Sequence, residues 1–267
     1  MEDTLSARKI GKKALLASYR TFMGLFGSFA DRMYLDPNVP ISTLASHSNY
    51  LQYLTDIGNR NGTRILEIGS REVTGKSDAR ERFSNAEYVG FDFYPGLNVD
   101  VVGDAHKLSQ YFSNQRFDII YSSAVFEHFA MPWVVATEIA KLLKIGGILF
   151  VETHLSYGSH ERPWHFFQFS DMALRVLFSP ALGFECIEAG ASNPMVGRFS
   201  ALADDYLKFM PVKGLYCYSE FLGRKIKDVE EFDWSDVNLD AVVGSTKYPL
   251  ATPNGYWKPQ KILSTRR

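Results

Sequence analysis

The sequence has little of several features that would assign its class directly. Among its 267 residues are only two cysteines, Cys186 and Cys217, whose spacing fits no metal or redox motif. This predicts a reduced, cytoplasmic protein. No run of eighteen apolar residues occurs, so no transmembrane helix is expected. No apolar run near the N-terminus precedes a cleavage site of small residues, so no secretory signal is expected either.

An excess of charge of one sign is also missing. The chain has 29 Lys and Arg against 30 Asp and Glu, for a net charge of -1. Domains that bind nucleic acids are usually strongly basic, so no nucleic-acid partner is predicted. A hydrophobic content of 46% is enough for one sizeable core, or for one domain with additions at both ends.

Residues 1–60 are predicted to form a separate helical extension. Basic residues alternate with apolar ones over residues 8–26, which is the pattern of an amphipathic helix. This helix could contact a membrane surface or a lipid-linked substrate, or it could cap the domain with its basic face in water. The second interpretation is favoured. A turn at residues 36–40 separates it from another predicted helix at 42–57.

Strands and helices alternate along residues 61–192, which predicts an α/β core with a parallel sheet covered on both faces. The predicted strands are 64–68, 87–91, 99–102, 117–121, 147–152 and 183–189. The predicted helices are 77–83, 106–112, 132–143 and 170–178. Residues 193–267 are interpreted as an insertion near the acceptor site, a strand or helix at 216–226 and a tail.

Polar residues follow the predicted strands, where α/β sheets bind their ligands. Gly69 and Ser70 follow the first strand, and a glycine turn allows close approach of a ligand. Asp92 follows the second strand, about 20 residues after the glycine turn. At this spacing a carboxylate is suited to accept hydrogen bonds from ribose hydroxyls. Asp104 follows the third, and Ser122 begins the segment after the fourth.

Five segments in this order resemble the class I S-adenosylmethionine (SAM)-dependent methyltransferases. They are L-E-I-G-S (66–70), F-D (91–92), G-D-A (103–105), F-D-I-I-Y-S-S-A-V-F-E-H (117–128) and L-L-K-I-G-G-I-L-F-V-E (142–152). The similarity is greatest to the type-11 group, whose members often act on sugars or natural products. It implies a Rossmann-like fold with a mainly parallel seven-stranded sheet, SAM as cofactor and S-adenosylhomocysteine as product.

The resemblance also implies roles for residues of this chain. The residues implied to bind SAM are Glu67, Gly69, Ser70, Arg71, Asp92, Phe93, Asp104, Ala105, Ser122 and Ser123. One segment departs from the family, because Arg71 and Val73 stand where two glycines are usual. Arg71 could bind the methionine carboxylate instead, by a charge-assisted hydrogen bond. The departure also leaves open a protein that keeps the fold without the activity.

Histidines near the fifth strand are the candidates for a general base. His154 is ranked first, then His160 and His128, while His165 lies in the same aromatic stretch at 155–168. The amine-binding motif Asn/Asp-Pro-Pro-Tyr/Phe is missing, so a hydroxyl of a small molecule or glycan is the predicted acceptor. No metal site is predicted from the sequence.

Two other functions have less support in the sequence. A nicotinamide-dependent oxidoreductase would need G-x-G-x-x-G after the first strand, and the chain does not have it. A non-catalytic SAM-binding or scaffold protein is supported only by the altered glycine loop. The sequence predicts a cytoplasmic enzyme and leaves peripheral membrane contact through the N-terminal helix open as an alternative. It does not indicate the oligomeric state.

Overall fold

The computed structural model of the protein describes residues 17–24, 27, 31–73, 75–113 and 115–244. Two compact units divide the chain. One consists of Met1–Pro37 with Pro194–Leu215, and the other of Asn38–Asn193 with Tyr216–Arg267. This division differs from the predicted boundary at residue 60, since residues 38–60 belong with the sheet. It also divides the predicted region 193–267 between the two units.

The larger unit is built on a seven-stranded sheet in the order β3-β2-β1-β4-β5-β9-β6. Its strands are β1 (Arg64–Ile68), β2 (Glu87–Asp92), β3 (Val101–Val102), β4 (Phe117–Ser123), β5 (Leu143–His154), β6 (Phe184–Pro194) and β9 (Tyr216–Lys225). Strands β1 to β5 pair in parallel, and β9 pairs antiparallel with β5. The predicted mainly parallel, seven-stranded sheet is confirmed.

The helices of this unit are short: the first precedes the first strand, the last follows the last strand, and the others connect strands. They are α1 (Tyr50–Gly58), α2 (Ala79–Arg82), α3 (Pro132–Leu142), α4 (Asp171–Leu177) and α5 (Leu239–Val243). Turns of 3-10 helix occur at Arg32–Tyr34, Ala105–Tyr111, Phe126–His128, Pro180–Leu182 and Trp234–Asp236. Pro132 begins α3, where its missing N–H costs nothing, and the Ser170 side chain accepts from the Ala173 N–H to cap α4.

Apolar side chains cover both faces of the sheet. Along β1, Leu66 and Ile68 belong to the larger buried cluster, whereas Ile65 belongs to a second cluster. Successive side chains of a strand point to opposite faces, so the two clusters lie on opposite sides. The larger cluster includes Ile139 of α3, and the second includes Leu54 of α1. The sheet is therefore buried on both faces, and the strands that carry the site are packed on both sides.

Helix α1 begins eight residues later than the predicted 42–57, at Tyr50. The Glu188 carboxylate accepts hydrogen bonds from the backbone N–H groups of Thr43, Leu44 and Ala45. These donors hold the segment in a non-helical conformation against β6. A distant carboxylate thus outweighs the local apolar pattern.

The smaller unit contains a two-stranded ladder, β7 (Gly197–Arg198) with β8 (Pro211–Val212). Residues 17–24 are helical, while most of the predicted basic helix lies outside the described residues. The predicted tail is described only as far as residue 244. Within the described part of the chain, none of the helices has the length and apolar character that crossing a bilayer requires.

Candidate active site

The carboxyl ends of the parallel strands bring the predicted polar residues to one edge of the sheet. Two neighbouring parts of this edge differ in composition. The glycine-turn half follows β1, β2 and β3 and consists of Gly69, Ser70, Arg71, Asp92 and Asp104. The histidine half lies at the ends of β4, β5 and β9 and consists of Glu127, His128, Glu152, His154 and His160, with Glu220 on β9.

The turn after β1 depends on a glycine. Gly69 has a φ of +87°, which residues with a Cβ rarely adopt, and a Cβ there would lie 2.1 Å from Val125 Cγ2. The N–H groups of Gly69 and Ser70 both donate to the Phe91 carbonyl. These amides are therefore occupied by β2 rather than turned toward a ligand. Because Gly69 has no side chain, a ligand could approach the backbone of this turn closely.

Asp92 ends β2 and already has partners. Its carboxylate accepts from the Tyr94 N–H at 2.9 Å and from Arg71 Nε at 3.3 Å. The Arg71 guanidinium lies 5.5 Å from the centre of the Tyr94 ring. Arg71 thus pairs with the same carboxylate that is predicted to hold ribose. Phe93 stands next to this pair and is 55% exposed, and its ring meets that of Tyr94 edge to face at 4.9 Å.

Asp104 caps the 3-10 helix that follows β3. It accepts from the His106 N–H at 3.0 Å, and its Oδ1 lies 2.6 Å from His106 Nδ1. Burial opposes ionisation of Asp104, but the His106 hydrogen bonds outweigh it and lower its pKa. The group is therefore an ionised acceptor. Ala105 beside it is buried.

Glu67, predicted to shape the methionine end of the pocket, is bound within the protein. Both the Tyr88 and the Tyr121 hydroxyls donate to its Oε2, the latter at 2.7 Å. Asn98 Nδ2 donates to the Tyr88 hydroxyl at 2.8 Å, which extends the chain of hydrogen bonds. Burial raises the pKa of Glu67 despite these hydrogen bonds. In this structure Glu67 ties β1 to β2 and β4.

The serines that end β4 belong to different environments. Ser122 is buried beside Ile68, and its Oγ has no hydrogen-bond partner. Ser123 donates to Glu152 Oε1 at 2.7 Å and thus belongs to the histidine half. The Ser70 Oγ is also buried and unpaired, but it faces Gly90 of β2. Ser122 is the hydroxyl best placed between the two halves.

Glu127, in the 3-10 turn after β4, is the centre of the histidine half. Its side chain is fully buried, and Thr153 Oγ1 donates to Oε2 at 2.7 Å. His154 Nδ1 lies 2.6 Å from Oε1, at an angle that departs from hydrogen-bonding geometry. Burial opposes ionisation of Glu127, yet His154 and Thr153 together lower its pKa. The His154 ring stacks on Tyr157 at 4.5 Å and on Tyr218 at 5.2 Å.

Three further histidines surround this pair. His128 Nε2 lies 3.9 Å from Glu127 Oε1, and the His160 ring centre lies 5.0 Å from those of both His128 and His154. His165 lies 4.5 Å from His160, centre to centre. The structure therefore brings together all four histidines proposed as candidates from the sequence.

A second buried carboxylate lies beside the first. Glu152 of β5 is fully buried and accepts from His47 Nδ1 at 3.0 Å, and the hydrogen bond to Glu152 raises the pKa of His47. Glu220 of β9 accepts from the His47 N–H at 3.2 Å and from the Ser192 hydroxyl. Burial raises the pKa of Glu220 to about 7, and the neighbouring Glu152 adds to the shift.

Sequence reasoning missed the carboxylates Glu127, Glu152 and Glu220, and also His47. His47 lies in the predicted extension, and Glu220 in a segment left open as strand or helix. Alternation along β5 could have placed Glu152 and His154 on one face. No local pattern links either residue to β9.

Comparison with known families is consistent with this arrangement. A family model described as "Methyltransferase domain" matches residues 45–182, more than half of the chain. The match begins just before α1 and extends through α4, so it includes the glycine-turn half and the residues of the histidine half other than Glu220. Comparison with curated proteins gives no match.

Several solved structures are similar at low identity. The YcgJ protein from Bacillus subtilis is 17% identical with a TM-score of 0.47, covering 68% of this chain and 100% of that one. A SAM-dependent methyltransferase from Archaeoglobus fulgidus is 14% identical with a TM-score of 0.46, covering 67% and 95%. The plantazolicin methyltransferase BamL, solved with S-adenosylhomocysteine, is 15% identical with a TM-score of 0.45, covering 66% and 82%.

The family match spans five of the seven strands of the sheet and most of the polar residues at its edge. The chain belongs to the methyltransferase-domain family, as a class I SAM-dependent methyltransferase.

Proposed function

We propose that this methyltransferase transfers the methyl group of SAM to a hydroxyl of a small molecule, with a sugar, glycan or natural product as the acceptor. The observation that carries the proposal is the buried Glu127–His154 pair, which lies at the carboxyl edge beside the glycine turn. In this proposal the glycine-turn half holds SAM and the histidine half activates the acceptor.

The residues of the glycine-turn half suit SAM in their chemistry. Asp92 is an acceptor for ribose hydroxyls, the exposed Phe93 offers a ring face to adenine, and Asp104 accepts from an exocyclic amine. The unpaired Ser122 hydroxyl offers a hydrogen bond near the centre. SAM supplies a methyl group on a positively charged sulfur, so the protein chiefly has to position the acceptor.

His154 is the proposed general base. Glu127 Oε1 at 2.6 Å from Nδ1 favours the tautomer with the proton on Nδ1, which leaves the Nε2 lone pair to accept a hydroxyl proton. The buried carboxylate would also stabilise the imidazolium that forms. Stacking on Tyr157 and Tyr218 restricts rotation of the ring. A fixed base of this kind favours a hydroxyl acceptor, whose proton has to be removed in the course of the transfer.

Exposed aromatic side chains next to the histidines suit a sugar or aromatic acceptor. Tyr157 is 50% exposed and Trp164 is 57% exposed, and both follow β5. Such rings pack against the apolar faces of sugars and fused rings. The acceptor class is proposed from this surface together with the base.

A second candidate function is a protein that binds SAM, or serves as a scaffold, without catalysis. The Arg71–Asp92 ion pair favours it, because it occupies the carboxylate that would bind ribose. The two side chains are 3.3 Å apart, with Arg71 35% exposed and Asp92 13% exposed, so a ribose would have to displace a partly buried pair. SAM binding therefore tests the scaffold without a cofactor, and methyl transfer to an acceptor separates the enzyme from a protein that only binds SAM.

Calorimetric titration with SAM tests the cofactor assignment, with NADPH as the comparison ligand. We expect micromolar SAM binding and no NADPH binding. In Asp92→Ala the affinity for SAM should be roughly 100-fold weaker, because the charge-assisted hydrogen bonds from the ribose hydroxyls to the carboxylate are lost. Absence of SAM binding would reject the catalytic function. A panel of hydroxyl acceptors with matched amino analogues then tests the reaction, and methylation of the amines alone would reject O-methylation.

A further inference from the structure

Three potential metal ligands converge in the histidine half. Glu127, His128 and His160 each place one ligand atom within 4.8 Å of the other two. Ligands of a single transition-metal ion at about 2.1 Å are about 3 to 4 Å apart, so a small contraction would close the site. We propose that these three residues bind one divalent transition-metal ion, and we call them the Glu127 site.

The hydrogen bonds of the two histidines direct one nitrogen of each toward metal binding. His128 Nδ1 lies 2.7 Å from the Trp164 carbonyl oxygen, and His160 Nδ1 lies 3.0 Å from that of Gly158. A carbonyl oxygen only accepts, so Nδ1 carries the proton in both rings and Nε2 keeps its lone pair. Metal-binding histidines usually have their other nitrogen held in this way, which fixes the tautomer and the ring orientation.

The carboxylate of the site is buried, and its two oxygens are held differently. Glu127 Oε2 accepts from Thr153, whereas Oε1 is buried and accepts no hydrogen bond of suitable geometry. The N–H groups of Phe166 and Phe167 donate to the Glu127 carbonyl and fix the backbone. A buried anionic oxygen without a hydrogen bond is costly unless a cation is near it. A divalent ion satisfies this need more completely than His154 alone.

The donor set indicates the class of ion. Two imidazoles and one carboxylate suit Zn²⁺ or Fe²⁺, whereas Mg²⁺ prefers oxygen ligands only. Three protein ligands leave open coordination positions, as in catalytic metal sites. Glu161, whose Oε2 lies 3.7 Å from His128 Nε2, is 56% exposed and is available as a further oxygen ligand.

His165 provides a matched control from the same cluster. Its Nδ1 accepts from the His160 N–H at 3.2 Å, so in the neutral ring the proton is on Nε2. In this tautomer His165 has no free lone pair for a metal ion. It shares the surroundings and the chemistry of the ligands, but it should not contribute to binding.

An ion at this position would act on the acceptor, and this part of the inference rests on the proposed function. A hydroxyl bound at an open position loses its proton more readily, and the base His154 lies against the same Glu127 oxygen. The binding of the ion itself does not depend on that function.

The test is calorimetric titration of the tag-free, EDTA-treated full chain with Zn²⁺, alongside Mn²⁺ and Mg²⁺. We expect one Zn²⁺ per chain at micromolar affinity or tighter, and at least 30-fold weaker binding in His160→Ala and His128→Ala. We expect His165→Ala to bind within threefold of the unmodified chain. Absence of Zn²⁺ binding, or equal losses in His160→Ala and His165→Ala, would overturn the proposal.

Two further measurements keep the result specific. Co²⁺ in place of Zn²⁺ should give a visible spectrum without thiolate-to-metal charge transfer, and such a band would assign the ion to Cys186 or Cys217 and overturn the site. SAM titration of His160→Ala should give the affinity of the unmodified chain, which shows that the variant is folded. Failure of Zn²⁺ binding with intact SAM binding would reject the metal site alone.

Discussion

The two halves of the edge differ in how their charged groups are held. In the glycine-turn half, Arg71 is 35% exposed and Asp104 is 38% exposed, and even Asp92 keeps 13% of its surface in contact with solvent. In the histidine half, Glu127 and Glu152 are fully buried and His154 is 7% exposed. An exposed ion pair exchanges partners with water and ligands at small cost, whereas a buried carboxylate must keep its partner. The first half is thus suited to binding and release, and the second to fixed chemistry.

Replacing the proposed base should give the largest effect on the histidine half. We expect His154→Gln to lower kcat about 1,000-fold, because loss of a positioned general base costs 100- to 10,000-fold. The SAM dissociation constant should stay within twofold, since His154 belongs to the other half. Steady-state kinetics on the accepted substrate and calorimetry measure the two quantities.

His165→Gln is the control for that experiment, because it alters a neighbouring histidine without touching Glu127. We expect it to keep kcat within about fivefold. If the two variants lose activity equally, His154 is not the base. If His154→Gln also abolishes SAM binding, the two halves are not separable.

Glu220 should make the stability of the histidine half depend on pH. Its pKa is about 7 in the folded protein against an ordinary 4.5, so the native state binds the extra proton between these values. Stability from this group is full below pH 4.5 and is lost as pH rises to about 7, by about 3 kcal/mol. Its charged neighbours are Glu152 and His47. The pKa of His47 is raised by its hydrogen bond to Glu152, and this changes stability in the same direction.

Glu220→Gln isolates this contribution. We expect the variant to be more stable than the unmodified chain at pH 8 by about 3 kcal/mol, and equally stable near pH 4.5. In the variant, Ser192 and the His47 N–H still have an acceptor in the amide oxygen. Chemical denaturation at both pH values measures the difference, and a constant difference across pH would contradict the assignment.

The tyrosines on Glu67 test whether the glycine-turn half is held by buried polar groups of its own. We expect Tyr88→Phe to lower the free energy of unfolding by about 1–2 kcal/mol, since one hydrogen bond to a buried carboxylate is lost and Tyr121 keeps the other. Urea denaturation measures this loss. Tyr206→Phe, at a 74% exposed position, should leave stability unchanged, and equal effects would refute the assignment.

Arg71 should have the smallest effect. If it binds the methionine carboxylate, Arg71→Ala raises the SAM dissociation constant about fivefold, as expected for a partly exposed charge pair. Arg71→Lys should recover part of the affinity because it keeps the charge. Calorimetry gives both values, and unchanged or tighter binding in Arg71→Ala would mean that the residue only competes for Asp92.

The sheet could be predicted because its signals are local. Residues 64–68 form β1 as predicted, and the alternation of strands and helices gave the class of fold. Strand β5 is longer than the predicted 147–152. The Gly146–Gly147 pair has the pattern of a turn, but it lies within a shift of register between β4 and β5, and Leu143 already pairs with Phe117. Pairing with a neighbouring strand therefore extends the strand through a local breaker.

The histidine half could be predicted only in part, because its residues come from separate segments. The histidines can be identified as candidate bases from their residue type alone. Their arrangement depends on Glu127, which orders them from the turn after β4, and on His47 far upstream. The occupied amides at Gly69 also needed the structure, since the pairing of β1 with β2 decides where those donors point.

The segment from 155 to 169 is fastened at its middle as well as at its ends. The Phe169 N–H donates to the His154 carbonyl, Ser219 donates to the Phe169 carbonyl, and Phe166 is tied to Glu127. Tyr157 and Trp164 lie on the exposed parts of the segment, between the residues that these hydrogen bonds hold. Exchanging Trp164 should therefore alter substrate preference while the residues beneath it keep their positions. Tyr157 also stacks on the proposed base His154, so its exchange would change recognition and chemistry together. The two aromatic positions of one loop thus differ in how closely recognition is coupled to chemistry.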